Sequence, residues 1–490
     1  VSDCILLLGD QLYNGLPGLP GGLPILMQED RPLATSFRHH KQKVVLFFSA
    51  MRHFALDLES HGRRVEYKKW DPEQPDLLER LRKTDGKVYT YTIHDRSFRA
   101  LLTRALGDRL VEIPSPAFLT KDALWNSYAV GKTRKMGDFY KRQRRDLEIL
   151  VDADLEPIGG QWSFDEDNRK KIPKGLTAPA MPQFPPDQIT TEVIALVETE
   201  FSDHPGDLAD FSWPVTRADA LYALDQFLEQ RFASFGPYED AICQHQTFLW
   251  HSALSPLINM GLLTPDEVVK KALAFAREND VPMASLEGFI RQIIGWREFI
   301  KRIDEEYGET GRDQTNHWNH QRRLNPCWWD ATTGLPPVDA AIARCSRYGW
   351  CHHIERLMVL GATQLMAGIA PNESYRWFME MFVDSAEWVM APNVFGMSQM
   401  SDGGVFATKP YLSGSAYILK MSNYPAGPWT EIWDGLYWRF IHLHRDEFER
   451  NPRMKTVTYG LDRLNADRKD RIFSLAENWI NTVSSAPTKG

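Results

Sequence analysis

Residues 332–358 read TTGLPPVDAAIARCSRYGWCHHIERLM. Pro336 and Pro337 preset φ for a helix start, and Asp339 puts a carboxylate on the free amides of its first turn. Apolar residues recur at helical spacing through Ile342, Cys345 and Trp350, so a helix leads to the histidine pair His352 and His353. His353 and Arg356 are three apart and project from one helical face. Asp384, in VDSAEWVMAPN (383–393), is the candidate partner of that arginine. Taken singly, His353 reads as a satisfied core histidine and Arg356 as a solvated side chain. Paired histidines and charges among so many aromatics make residues 332–411 the centre of the chain.

Working outward, almost everything from Arg217 onward is helix-periodic with short breaks, which predicts an all-α domain over 216–490. Two stretches in it carry chemistry. In FGPYEDAICQHQTFLWHSALSPLINMGLL (235–263), Ser252 and Ser255 stand at a turn that opens a helix running to Gly261. Hydroxyls and free amides there suit a phosphate, although an ordinary helix cap explains them as well. In LEGFIRQIIGWREFIKRI (286–303), Arg297 sits among apolar residues, and a buried arginine needs a carboxylate or a bound anion.

The N-terminal part alternates strands with helices. CILLLGDQL (4–12), PILMQ (24–28), KVVLFFSA (43–50), RVEYKKW (64–70) and KVYTYTI (87–93) read as strands. This pattern predicts an α/β domain over 1–135 with a parallel, doubly wound sheet, whose ligands bind at the carboxyl ends of its strands. Gly9, Asp10 and Gln11, and residues 49–52, fall at those ends. No G-x-G-x-x-G is present, which argues against a tightly held dinucleotide here. Residues 136–215 hold a helix, MGDFYKRQRRDLEIL (136–150), with a solvated basic face, and then a Pro/Gly-rich connector.

At 490 residues and net charge −8, two domains are expected, and any DNA partner requires a local basic patch. Five cysteines without CxxC spacing suit a reducing compartment, and no apolar run reaches the roughly 18 residues of a membrane span. The expectation is a monomeric cytoplasmic protein.

The string Thr333-Gly334, Pro336, Val338-Asp339-Ala340, Gly349-Trp350, His352-His353 and Arg356 resembles the flavin-binding core of the photolyase and cryptochrome family. The adjacent histidines, and NVFGMSQMSDGGVFATKPY (393–411), resemble its bacterial (6-4) photolyases, the iron–sulfur group. The resemblance implies FAD held by Ser252, Leu254, Ser255, Gln292, Arg297, Arg356, Asp384, Met390 and Asn393. It places Ser252, Leu254 and Ser255 on the pyrophosphate, and Arg297 and Arg356 around the isoalloxazine with Asp384. The spacing from Arg291-Gln292 to Trp296 is one residue longer than the commonest RQLxWRE form.

The implied activity is light-driven repair of (6-4) photoproducts in UV-damaged DNA. His353 is the expected general acid, since a histidine titrates in the useful range, with His352 orienting it or touching the lesion. Asp240, Met397 and Tyr411 match lesion-side residues, and Lys409 is placed to meet a phosphate. Trp377 and Trp329 match the first and last links of an electron relay. Phe378 replaces the tyrosine between them, which points to detours through Trp328 or Trp388. Met390 stands where a residue facing flavin N5 is usually Asn or Glu, and a thioether donates no proton. Phe378 and Met390 favour the alternative, a cryptochrome-like blue-light photoreceptor without repair.

Two accessory groups remain. The family's antenna site, which in the bacterial group holds 6,7-dimethyl-8-ribityllumazine, maps to Gly9, Asp10 and Glu29. Gln28, Leu33 and Ser36 replace the usual pigment contacts, so a vestigial or differently loaded site is an equal alternative. The four cysteines of the group's [4Fe–4S] cluster map to Pro337, Pro425, Pro428 and Glu431. Thiolates hold such clusters, so no metal is expected, with Trp429, Trp433 and Tyr437 filling the space.

Overall fold

The computed structural model describes residues 3–129, 134–308, 311 and 315–486. Five parallel strands, β1 (Cys4–Leu6), β2 (Ile25–Gln28), β3 (Val65–Lys68), β4 (Val88–Tyr91) and β5 (Leu110–Ile113), form one sheet in the order β3-β2-β1-β4-β5. Every residue of β1 and β2 is buried. Apolar clusters cover both faces of the sheet, which explains why these strands read as unbroken apolar runs.

Residues 43–50, expected as a strand, lie instead inside the Lys41–Ser60 helix, and residues 49–52 therefore do not end a strand. The helix is buried over most of its circumference: Val44, Val45, Leu46, Phe48, Ala50 and Met51 are all inside. A fully buried apolar run has no polar face to reveal its period, so only its length of 20 residues separates helix from strand. The strand it displaces is β5, whose residues are all half-buried and lack a strong apolar signal.

Beyond residue 216 the described chain is built of helices joined by irregular loops, with a two-residue antiparallel pairing of β6 (Arg323–Leu324) with β7 (Ser484–Ser485). Among the described residues no helix is long and apolar enough to cross a membrane. The basic face of the Met136–Leu147 helix is solvated only in part. Arg144 is buried and donates to the carbonyls of Ile149, Leu150 and Trp162, closing the loop that follows. Asp339 does not cap its own helix either. It reaches back to accept from Thr333 N at 2.7 Å and Gly334 N at 3.0 Å, bracing the turn before Pro336.

The two halves interlock. Trp350 and Val383 join the apolar cluster that contains the sheet's Ile5 and Ile25. Buried Lys43 donates to Ser385 O at 2.8 Å and Ser385 Oγ at 2.9 Å, and Arg96 pairs with Asp304. Glu298 accepts from the amides of Leu119 and Thr120, both at 2.9 Å.

Candidate functional site

The Pro336–Tyr348 helix ends at Gly349, whose φ of 61° is left-handed. A Cβ there would stand 2.5 Å from Val383 Cγ1, so the position admits only glycine at this approach. The Val383 amide donates to the Gly349 carbonyl at 2.9 Å, which brings the histidine turn beside Asp384. Arg356 then forks onto Asp384 with contacts of 2.9 and 3.1 Å, while its Nε donates to the Cys351 carbonyl at 2.8 Å. Its guanidinium carbon lies 4.0 Å over the Phe382 ring.

From the Ser255–Met260 helix, Ser255 Oγ donates to Asp384 Oδ2 at 2.6 Å, and Asn259 Nδ2 donates to the Asp384 carbonyl at 3.0 Å. Asn259 was invisible in the sequence, because an amide on a short apolar helix carries no motif. Ser252 Oγ accepts from the Leu254 amide at 3.4 Å, and Leu254 is buried.

Arg297 ends a π-helical stretch, Arg291–Arg297. The wider turn absorbs the extra residue between Gln292 and Trp296 and continues into the Glu298–Ile303 helix without a break. The guanidinium lies against the rings of Phe118 and Trp388, at 4.2 and 4.7 Å, and Nη2 donates to Asn259 Oδ1 at 3.3 Å. The expected pairing of Arg297 with Asp384 is not seen; Arg356 takes that carboxylate, and Asn259 links the two arginines. Arg297 Nη1 is buried without a partner, and burial pushes the arginine's pKa down to about 10. Gln292 donates to Glu239 Oε1 at 2.6 Å.

His353 is half-exposed at the mouth of this region, with Nε2 3.2 Å from Asp240 Oδ1. Burial works to lower its pKa, but the Asp240 hydrogen bond and charge, with Glu239, push it above the ordinary value. Asp240 also lies 3.6 Å from Arg169. His352 is buried. Its ring lies 5.0 Å from and parallel to His251, and its Nε2 is 3.4 Å from Glu355. Burial and neighbouring cations hold both His251 and His352 neutral, well below the usual histidine range. Ring nitrogens of His251, His352 and His353 lie within 4.8 Å of one another, close enough to share a metal ion.

Residues 5–213 match the model of the deoxyribodipyrimidine photo-lyase-related proteins, and residues 289–415 match the FAD binding domain of DNA photolyase. A (6-4) photolyase of Agrobacterium fabrum is 35% identical over 512 residues, spanning 99% of this chain and 100% of its own. The chain belongs to the DNA photolyase family. A deoxyribodipyrimidine photo-lyase of Streptomyces griseus is 26% identical over 137 residues, 27% of this chain and 29% of its own. The crystal structure of a bacterial class III photolyase from Agrobacterium tumefaciens shares the fold, with a TM-score of 0.56 over 98% of both chains at 16% identity.

The residues present fit the FAD of a photolyase. Arg297 Nη1, His251 Nε2 and His352 Nδ1 are buried without hydrogen-bond partners, and each suits an acceptor or donor of a bound polar group. Met390 is buried at 4%, and Asn393 turns back to donate to the Val389 carbonyl at 2.7 Å.

Among the aromatic residues, Trp377 and Phe378 are buried with ring centres 5.3 Å apart, and Phe382 lies 5.6 Å from Phe378. Trp377 Nε1 donates to the Trp328 carbonyl at 2.8 Å, and the two indoles are 6.5 Å apart. Trp328 in turn lies 6.4 Å from Trp479. Trp329 instead faces the guanidinium carbons of Arg38 and Arg376, at 5.9 and 6.0 Å. Met397 and Tyr411 are half-buried, and Lys409 is exposed.

At the antenna position, Glu29 is saturated by Arg52 at 2.7 and 3.0 Å, Tyr67 Oη at 2.7 Å and the Trp70 amide at 2.7 Å. Gly9 abuts Phe47, and burial pushes Asp10 up to about 6. Gln11 bonds Tyr91 O and Thr90 Oγ1, both at 3.1 Å, and so plugs the switch point between β1 and β4. Trp429 and Trp433 are buried, 5.9 Å apart, and donate to the Pro425 and Ser413 carbonyls.

Proposed function

We propose that this photolyase-family protein repairs (6-4) pyrimidine–pyrimidone photoproducts in UV-damaged DNA by light-driven electron transfer. Bound reduced FAD would supply one electron to the lesion on excitation and recover it after the bonds rearrange. The observation that carries the reading is His353: half-exposed, held by Asp240, and close to Arg356, which forks onto buried Asp384. A (6-4) lesion requires a hydroxyl to move between its two bases, and a general acid must protonate it as it leaves. His353 holds that proton, because Asp240 favours the imidazolium and fixes Nε2, leaving Nδ1 for the substrate. Buried His352 and His251 support the ring from behind and remain neutral.

Ser255, Asn259, Arg297, Arg356 and Asp384 would hold the flavin, and the Phe118 and Trp388 rings keep water from Arg297. Exposed Lys409 would supply a cation for a phosphate, which a chain of net charge −8 needs locally.

The reduced protein, illuminated with oligonucleotides carrying a (6-4) photoproduct or a cyclobutane dimer, is expected to restore only the former. A flavin-loaded protein that repairs neither would favour the second reading, a blue-light photoreceptor. Buried Met390, with no proton to give, and Phe378, a poor electron carrier, are the observations on that side.

A further inference from the structure

The connector meets the site at Asn168, which ends the short turn Asp165–Asn168 and keeps 1% of its surface exposed. Its carbonyl accepts from the Asp240 amide at 3.2 Å, and its Nδ2 donates to Glu239 Oε2 at 2.5 Å. Two residues on, the Lys170 amide donates to the Pro237 carbonyl at 3.0 Å. Backbone and side chain of one connector residue therefore hold two adjacent acidic residues. Asn168 Oδ1 is buried without a partner. A buried amide left half-satisfied is unfavourable, so stability alone would favour an apolar residue here.

Both carboxylates act on His353. Asp240 Oδ1 stands 3.2 Å from its Nε2, and the charge of Glu239 also favours the imidazolium. Arg356 opposes them, and the rings of His251 and His352 lie 5.6 and 6.3 Å from that of His353. Asp240 meets a further cation in Arg169, at 3.6 Å. Glu239 is buried, which pushes its carboxyl up to about 7. Arg291, 3.9 Å from Oε2, His353 and the Asn168 bond work against that rise, while Asp240 adds to it. Gly288 leaves room for the contact: a Cβ there would stand 3.0 Å from Asn168 Nδ2 and 3.3 Å from Glu239 Oε2.

We propose that Asn168 is a positioning residue for the proton donor, fixing Glu239 through its side chain and Asp240 through its carbonyl so that both carboxylates bear on His353. The inference rests on the general-acid reading above and places control of that acid in the Pro/Gly-rich connector. Without the Nδ2 bond, Glu239 takes up a proton more readily, and a neutral carboxyl no longer favours the imidazolium. A loosened Asp240 acts in the same direction. Both effects make His353 release its proton at lower pH.

The test is an NMR titration of the histidine imidazoles in FAD-loaded protein kept dark, with His353 assigned by the signal lost in His353→Gln. Asn168→Ala is expected to weaken proton binding at His353 about tenfold, its titration moving about one pH unit lower, with flavin content unchanged. The alkaline limb of (6-4) repair should move down with it. Should Asn168→Ala fail to fold, Gly288→Ala carries the comparison, since its methyl presses on the same amide while favouring its own helix. An unmoved His353 titration in the folded variant overturns the inference. A titration that moves while the repair limb stays in place upholds the Asn168 contact and removes His353 as the acid, so the two readings fail separately.

Discussion

His353 Nε2 stands 3.2 Å from Asp240 Oδ1, a contact between residues 113 positions apart. The carboxylate opposes the effect of burial and raises the histidine's pKa. A raised pKa keeps the proton donor present below that value and removes it as pH rises through it. Asp240→Asn leaves burial to lower the pKa, so the alkaline limb of the repair rate should move to lower pH. His353→Gln should cost about 10²–10⁴-fold in repair while flavin binding persists. The pH–rate profile under saturating light checks both, and a limb that does not move in Asp240→Asn excludes His353 as the acid.

The hole left when Trp377 supplies an electron to the flavin should move to Trp328 and on to Trp479, rather than to Trp329. The first path has ring spacings of 6.5 and 6.4 Å. A positive hole on Trp329 would face two guanidiniums near 6 Å. Each repulsion is worth roughly 1–3 kcal/mol, given solvent screening. Glu380, 3.4 Å from Arg38, offsets part of it. Flavin photoreduction with an external thiol reductant should slow strongly in Trp328→Phe and little in Trp329→Phe. The reverse order would return the relay to Trp329.

Arg344 and Glu355 form a buried pair beneath the histidines, and Arg344 Nη2 also caps the Gln244 carbonyl at 2.9 Å. Burial pushes the Glu355 carboxyl up to about 7, so the arginine is what keeps it ionised. Arg344→Met leaves that carboxylate without a partner and should destabilise the fold by about 3–5 kcal/mol. Urea unfolding measures this. The stability loss should be small near pH 5, where Glu355 carries a proton in both proteins, and should grow as pH rises through about 7, where the paired carboxyl ionises and the unpaired one resists.

Much of this arrangement was legible where chemistry is local. The helix from Pro336 and the pairing of Arg356 with Asp384 follow from periodicity and charge, whereas the helical spacing ran on through Trp350 and did not show the stop at left-handed Gly349. The sheet was legible in its alternation with helices, but residues 43–50 were not, since a segment buried on all sides hides its own period. Asn259 escaped for another reason. It acts through Asp384, far away in the chain, and an isolated amide has no spacing that marks it. The extra residue before Trp296 was visible as an irregularity, and only the π-helical turn explains how Arg297 continues the helix across it.

Asp384 is where structure and cofactor roles have to be separated. It accepts from Arg356 through both oxygens and from Ser255 at 2.6 Å, so Asp384→Asn leaves a buried guanidinium on a neutral amide. A loss of about 3–5 kcal/mol is expected from that alone. A ligand at 100 times its Kd stabilises the folded state by about 2.7 kcal/mol. Added FAD should therefore raise the urea midpoint of wild type by a matching increment. If Asp384 orders the flavin site, Asp384→Asn should lose both its basal stability and the FAD increment. A variant that is weakened yet still gains the full increment from FAD would make Asp384 a brace for the fold alone. Arg356→Lys should then behave like Asp384→Asn, since an ammonium cannot reproduce the fork on two oxygens.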